Sequence, residues 1–336
     1  MKKSLNVLLV FDSPYKVEKG YDFKEEFKDI DWNSEKNVYN ALLENNHKVR
    51  LLGVHNDIVP LIEEIRENKP DVVFNLTEVF RGKSHLDKNV VWILEMLGIA
   101  HTGGSPSTLL VCNNKALSKK ILSFHRIKVP NFYTFGFNRK VWLPKKLRVP
   151  LIVKPLGDEA SRGISQASIV DNEDSLVERV KFIHDRIKLE AIVEEYIDGR
   201  EMYVGVFGHK RVKVLPPIEM KFGNVPEDEP RVATYRAKWD DNYRKKWGIK
   251  NVGVGSISES LLSKINKTCI RAYKALNISS YVRFDIRIGS DNEVYILEIN
   301  ANPCLAKDDD FAHAATRADI SYNRLVQKLL VSALKR

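Results

Sequence analysis

Between Tyr281 and Asn302 the chain alternates apolar and polar residues in two runs, which pair naturally as antiparallel strands around a short turn. Val282, Phe284, Ile286 and Ile288 share one parity, so Arg283 and Asp285 project together from the opposite face. The return run gives Glu298 and Asn300 a shared face too. A two-residue Asp291-Asn292 loop sets Asp285 opposite Glu298 and Arg283 opposite Asn300 by antiparallel counting. Two carboxylates facing each other at roughly 5 Å repel, so the pairing asks for a cation. Magnesium suits it, because it takes hard oxygen ligands, uses few carboxylates and draws the rest from water and phosphate. The same pattern also fits a solvated sheet face on which Arg283 neutralises Asp285.

The setting is an ordinary globular one. A chain of 336 residues, 43% hydrophobic and 29% charged, can form two or three packed units with a substantial core. Its three cysteines, Cys112, Cys269 and Cys304, are widely spaced and read as neither a disulfide framework nor a zinc pattern, which fits a reducing cytoplasm. The apolar run Leu5–Val10 is short and flanked by charge, a first buried strand and not a signal peptide. No stretch approaches bilayer-spanning length, so no membrane partner is expected. The net charge of +10 is spread along the chain without a nucleic-acid module; an anionic small substrate such as a nucleotide accounts for it equally well.

Strand and helix signals alternate over the first hundred residues. Strands are predicted at Asn6–Phe11, Lys48–Gly53 and Val72–Phe74, and helices at Ser34–Asn45, Val59–Asn68 and Val90–Leu97. This is an open α/β unit ending at the turn-rich stretch His101–Pro106. A helix at Lys115–Phe124, strands at Pro150–Pro155 and Ala191–Tyr196 and a helix at Glu173–Ile187 follow. The last region carries strands at Met202–Gly208 and Val212–Leu215, a polar excursion from Lys221 to Gly253, a helix at Ser258–Leu276, the hairpin, and a helix at Ser321–Ala333.

Lys154 ends an apolar strand just before Pro155 and a glycine-containing loop, Gly157–Gly163. An ammonium beside backbone amides suits phosphate oxygens, though a lysine at a strand end is also simply solvated. The loop matches neither the P-loop nor the dinucleotide fingerprint. In Ile192–Glu201 a buried strand runs into consecutive acids, a turn and another acid. That is a hinge able to bind an adenine edge through backbone groups and a ribose through Glu201; a hairpin with charged flanks would look the same.

Taken in order, Ile152-Val153-Lys154-Pro155, Glu194 to Glu201, Ala237-Lys238-Trp239, Arg283-Phe284-Asp285 and Leu297 to Pro303 resemble the motifs of the ATP-grasp superfamily, closest to its D-alanine–D-alanine ligase branch. Phe74–Glu78 and Leu94–Gly103 resemble that branch's amino-terminal domain, so the similarity spans nearly the whole chain. The resemblance implies an α/β (α+β) three-domain ATP-grasp fold: an N-terminal open α/β pre-ATP-grasp domain over residues 1–105, a central lid domain over 106–193, and a C-terminal domain with the metal site over 194–336. It implies that Lys115 and Lys154 contact ATP phosphates. Glu194 and the backbone around Glu195 and Ile197 would hold adenine, and Glu201 the ribose. Asp285, Glu298 and Asn300 would coordinate Mg2+ or Mn2+, Lys238 would approach the terminal phosphate, and Arg283 would face a developing oxyanion. Ser161 and Gly163 belong to the loop expected to close over the nucleotide.

The implied chemistry is ADP-forming ligation of a carboxylate, an amino acid or small peptide, to an amine through an acyl phosphate. Asp285→Asn and Glu298→Gln are expected to abolish turnover and leave folding largely intact. Related ligases commonly form homodimers, although no residue pattern here marks a self-complementary patch. The chain departs from the branch at two places: no glutamate for a substrate ammonium stands near the first strand, and Cys304–Asp310 follows the metal motif without the branch's serine. D-alanine specificity is therefore not implied. Glu78 is the candidate for a substrate ammonium and Asn302 a further substrate contact; a nucleophilic Cys304 is unnecessary where ATP already activates the substrate, and His313 reads as a helix-start or pocket residue. Two alternatives keep the same motifs: a tailoring ligase acting on a peptide or non-amino-acid carboxylate, and a nucleotide-binding protein without turnover.

Overall fold

The computed structural model describes residues 4–157, 161–226, 230–255 and 257–335. Asp158, Glu159 and Ala160 of the predicted glycine loop lie outside these residues.

The chain opens with β1 (Asn6–Asp12), α1 (Asn33–Glu44), β2 (Lys48–Val54), α2 (Val59–Glu67), β3 (Val72–Asn75) and α3 (Asp87–Met96). The strands form a parallel sheet in the order β2-β1-β3. As the middle strand, β1 is apolar at every position from Val7 to Phe11 because both its faces are covered. Leu8 and Val10 pack with Leu61, Ile65, Val90 and Leu94. Val7, Leu9 and Phe11 pack with Val38 and Leu42, in a cluster that extends to Leu325 and Leu329 near the other end of the chain. Each such buried side chain contributes roughly 2 kcal/mol. The strand thus ends firmly at Asp12, at the carboxyl edge of the sheet.

Next come α4 (Pro106–Cys112), α5 (Lys115–Phe124), β4 (Phe132–Phe135), β5 (Leu151–Pro155), β6 (Ile169–Val170), α6 (Glu173–Phe182, prolonged by a π turn over Ile183–Ile187) and β7 (Ala191–Glu195). The strands make an antiparallel sheet in the order β4-β7-β5-β6. Glu194 and Glu195 lie within β7, so the expected border at 193/194 falls inside a strand.

The remainder contains β8 (Gly199–Phe207), β9 (Lys213–Val214), β10 (Ile218–Phe222), α7 (Tyr235–Trp239), α8 (Asp241–Trp247), β11 (Ile249–Gly253), α9 (Glu259–Ala275), β12 (Tyr281–Gly289), β13 (Val294–Ala301), α10 (Asp310–Thr316) and α11 (Tyr322–Ala333). The sheet runs β11-β10-β8-β12-β13, with β9 beside β8. The predicted polar excursion is therefore substantially ordered. Thr234 accepts from Ala237 N–H to cap α7, Asp240 accepts from Tyr243 N–H to cap α8, and Gly248 ends α8 at φ +59°. Among the described residues, no helix is long and apolar enough to cross a membrane.

The hairpin register is the predicted one at the chemically important positions: Asp285 faces Glu298 and Arg283 faces Asn300. The turn is not the predicted two-residue loop. Gly289 N–H donates to Glu293 O and Asn292 N–H to Gly289 O, leaving residues 290–292 as a three-residue loop with Asn292 at φ +55°. The longer loop shifts the register by one, so that Ile286 faces Ile296. A bulge at Leu297 then shifts it back. The bulge also reverses the parity of β13. Val294 and Ile296 face the core before it and Ile299 and Ala301 after it, which turns Glu298 and Asn300 to the opposite side.

Candidate active site

Helix α5 begins at the Asn114 cap, whose side chain accepts from Leu117 N–H at 2.9 Å. One helical turn apart on its buried face lie Lys115 and Lys119. Buried ammoniums are costly unless paired, and both are paired. Lys115 Nζ is 2.8 Å from Glu298 Oε1 on β13. Lys119 Nζ is 3.2 Å from Glu194 Oε1 on β7 and donates to the Leu297 carbonyl. Lys154 at the end of β5 donates to the other oxygen of Glu194 at 2.9 Å. Burial alone would raise the Glu298 pKa, but Lys115, Lys238 and Lys154 overcome it and hold the carboxyl at about 2. Burial acts on Glu194 in the same way, and Lys119 and Lys154 again bring its pKa down. Both groups are carboxylates at neutral pH.

On β12, Arg283 grips Asp285 through two hydrogen bonds, 2.8 Å from Nε and 3.2 Å from Nη2, and its guanidinium lies over the Tyr203 ring. The neutralisation weighed from sequence is thus real. Asp285 nevertheless also faces Glu298 and stands 3.9 Å from Lys238 Nζ. The Nδ2 of Asn300 on the same face is buried without a hydrogen-bond partner. That nitrogen carries hydrogens and cannot ligate a cation, so Asn300 would serve through Oδ1; two carboxylates and one amide oxygen are hard ligands too few to enclose an ion, a set that fits Mg2+ or Mn2+ with outside oxygens completing the shell. Among the described residues, no three His, Cys, Asp or Glu side chains gather into a fuller metal cluster.

These groups border two adjoining spaces. A narrow cavity of about 50 Å³ between the two antiparallel sheets is lined by apolar Ile152, Ile164, Val232 and Leu297 and by Lys154, Ser161, Glu194, Glu195, Ile197, Glu201, Asp285 and Glu298. A larger one of about 580 Å³ is lined by Glu78, Arg162, Arg283, Asn300, Asn302, Cys304, Asp308 to Asp310 and His313, among others. Lys238 on α7 borders both.

The predicted residues are therefore largely brought together, with differences of detail. Lys115 lines neither cavity and reaches the site through Glu298. The side chain of Glu195 is held by Asn131 Nδ2 and Arg148 N–H, each at 2.9 Å. The Ile197 carbonyl accepts from Arg287 at 2.7 Å. Glu201 accepts from Arg287 at 2.8 and 3.2 Å and from the Tyr203 hydroxyl at 3.2 Å. Ser161, at φ +59°, faces the narrow cavity, whereas Gly163 lies behind it with its carbonyl held by Arg179. The loop's far end is tied to the first residue of α7 by Tyr235 N–H donating to Ile164 O at 3.2 Å. Asn302 Oδ1 accepts from Gly104 N–H at 2.6 Å, joining the hairpin to the amino-terminal unit. Glu78 is exposed at the rim of the larger cavity, its N–H held by Asp12 at 2.8 Å.

Lys119, Arg287, Asp12 and Tyr203 escaped the sequence reading. Lys119 had a signal, its i,i+4 spacing from Lys115; Arg287 had one too, because it continues the parity of Arg283 and Asp285. The aspartate and the tyrosine carried none.

The family described as D-ala D-ala ligase C-terminus matches residues 127–331. The chain belongs to the D-alanine–D-alanine ligase family. It is an ATP-dependent ligase that forms carbon–nitrogen bonds. Within the family, D-alanine–D-alanine ligase A of Bacillus cereus is 28% identical over 285 residues, 83% of this chain and 88% of that one. An uncharacterised protein of Sinorhizobium fredii, y4sG, is 29% identical over 304 residues, 89% of this chain and 87% of its own length. The crystal structure of D-alanine–D-alanine ligase from Bacillus anthracis complexed with ATP superimposes with a TM-score of 0.74 at 22% identity, covering 98% of both chains, a likeness of the ATP-grasp fold.

Proposed function

We propose that this ligase activates the carboxylate of an amino acid or small peptide as an acyl phosphate and transfers the acyl group to an amine-bearing substrate. The observation that carries the reading is Lys238, which stands where the narrow and the larger cavity meet and is 3.9 Å from Asp285. A phosphoryl group held in one space would meet a carboxylate held in the other beside that ammonium.

The narrow cavity has the composition of a nucleotide site. Ile152, Ile164, Val232 and Leu297 would flank the base, with backbone near Ile197 at its polar edge and Glu201 toward the ribose. Lys154 and Lys115 would exchange their carboxylate partners for phosphate oxygens. Asp285, Glu298 and Asn300 would hold the divalent cation, which when bound supplies positive charge between two approaching anions. Arg283, fixed by Asp285 against Tyr203, keeps its remaining donors for the oxyanion that forms when the amine attacks the acyl group. Ser161 and its loop would exclude water from the acyl phosphate. The acidic run Asp308–Asp310 and Cys304 line the larger cavity, so D-alanine itself is not part of this reading.

Mixtures of amino acids and dipeptides incubated with ATP and Mg2+ test it. ADP and phosphate should appear only with a carboxylate and an amine together, and hydroxylamine in place of the amine should yield a hydroxamate. ADP release that ignores the amine and gives no hydroxamate would count against an acyl phosphate.

A further inference from the structure

Lys119 has no part in the chemistry described above, yet its side chain is 1% exposed and its ammonium bridges the two sheets that enclose the narrow cavity. On one side it is 3.2 Å from Oε1 of Glu194, which is 0% exposed. On the other it donates to the carbonyl of Leu297, the bulged residue of β13.

The second contact matters most. A bulge leaves its extra residue outside the ladder, and a buried carbonyl without a donor is unfavourable. Continued in the phase of Val294 and Ile296, β13 would send Glu298 and Asn300 into the apolar cluster that holds those two residues. The bulge is what turns both toward Asp285 and Arg283. Lys119 supplies the donor the bulge requires. Through its other contact it shares Glu194 with Lys154, so that Lys154 is not the only charge answering a fully buried carboxylate.

From this geometry we infer that Lys119 is a positioning residue for the nucleotide and metal site: it holds the Leu297 bulge that aims Glu298 and Asn300, and it balances Glu194 so that Lys154 can turn to phosphate. The inference rests on the nucleotide reading above and adds a residue that touches no ligand.

ADP titrated by calorimetry into the wild-type protein, with and without Mg2+, is the first measurement; no binding there would overturn the nucleotide reading and this inference with it. Given wild-type binding, Lys119→Met should bind ADP about tenfold more weakly and show a smaller strengthening by Mg2+, the size of effect seen when supports of metal ligands are removed. A folded variant with wild-type ADP affinity in both conditions overturns the inference, whatever its melting temperature. If loss of the ammonium beside Glu194 prevents folding, Lys119→Met combined with Glu194→Gln removes the carboxylate as well. Compared with Glu194→Gln alone, the double variant should lose several-fold of the Mg2+ effect through the unheld bulge. An equal Mg2+ effect, or a double variant that also fails to fold, makes Lys119 a folding residue only and overturns the inference.

Discussion

Lys115 Nζ lies 2.8 Å from Glu298 Oε1, an ion pair that joins α5 to the face of β13 that Glu298 shares with Asn300. Glu298→Gln would leave the nearly buried Lys115 without that carboxylate, so the variant should lose about 3 kcal/mol at pH 7 in urea unfolding as well as its turnover. This replaces the expectation that folding stays largely intact. The folded carboxyl sits at about 2, below its ordinary value of 4.5. A lowered pKa stabilises the fold above pH 4.5, and that contribution fades as pH falls from 4.5 toward 2. The gap between wild type and Glu298→Gln should accordingly shrink across this window; a constant gap would refute the assignment.

Glu35 in the first turn of α1 behaves oppositely. Burial raises its carboxyl to about 7, with Asp12 adding slightly, and its Oε2 is buried without a partner. The folded protein therefore keeps a proton that the unfolded chain releases near 4.5, and stability falls as pH rises from 4.5 to 7. Glu35→Gln should be nearly neutral at pH 4.5 and stabilising by about 2 kcal/mol at pH 8. Chemical denaturation at both pH values decides it, and equal effects would show that Glu35 is not held protonated.

How far the sequence spoke depends on distance along the chain. β12 announces itself through strict alternation, and the motif order located both walls of the narrow cavity. The hairpin pairing of Asp285 with Glu298 was legible although the loop was misjudged, because the extra loop residue and the Leu297 bulge cancel. The bulge had left a trace, a change of apolar parity between Ile296 and Ile299. Residues 221–253 hid their helices because segments as short as Tyr235–Trp239 are too brief to show an apolar period; only their caps, Thr234 and Asp240, and the stop at Gly248 marked them. The partnership of Glu201 with Arg287 has no local signature, since strand pairing alone brings these residues together.

Gly103 is fixed by two constraints at once. Its φ is +87°, and a Cβ there would sit 2.7 Å from Asn302 Oδ1, the atom that accepts from Gly104 N–H. Gly103→Ala should cost about 2 kcal/mol in thermal or urea unfolding and loosen the link between the amino-terminal unit and the hairpin. Substitution at Gly82, where nothing lies within 4 Å despite a φ of +65°, should cost only the backbone part. Equal losses at the two positions would show that the Asn302 contact carries no weight.

Cys304 lines the larger cavity, yet burial first and Asp309 next push its thiol up to about 12. A protonated thiol is a poor nucleophile. Iodoacetamide at pH 8 should label it far more slowly than it labels a solvent-exposed cysteine in a short peptide, and Cys304→Ala should retain activity within about twofold. Rapid labelling together with loss of turnover in the alanine variant would reopen a covalent role.

Lys238 offers the sharpest separation of binding from chemistry. It borders both cavities and stands 3.9 Å from Asp285, whereas Lys154 is hydrogen-bonded to Glu194 within the narrow space. In the proposed reaction a charge at the junction would act mainly on the phosphoryl group in transit, a species that would carry its charge between the two spaces only at the transition state. Lys238→Gln should therefore lower kcat by about a hundredfold while ADP affinity changes by no more than about threefold. Lys154→Gln should show the reverse weighting, a large rise in the KM for ATP with a smaller loss of kcat. If Lys238→Gln instead weakened ADP in proportion to its effect on turnover, the ammonium would belong to the nucleotide site alone, and the meeting of the two cavities would no longer mark the place of reaction.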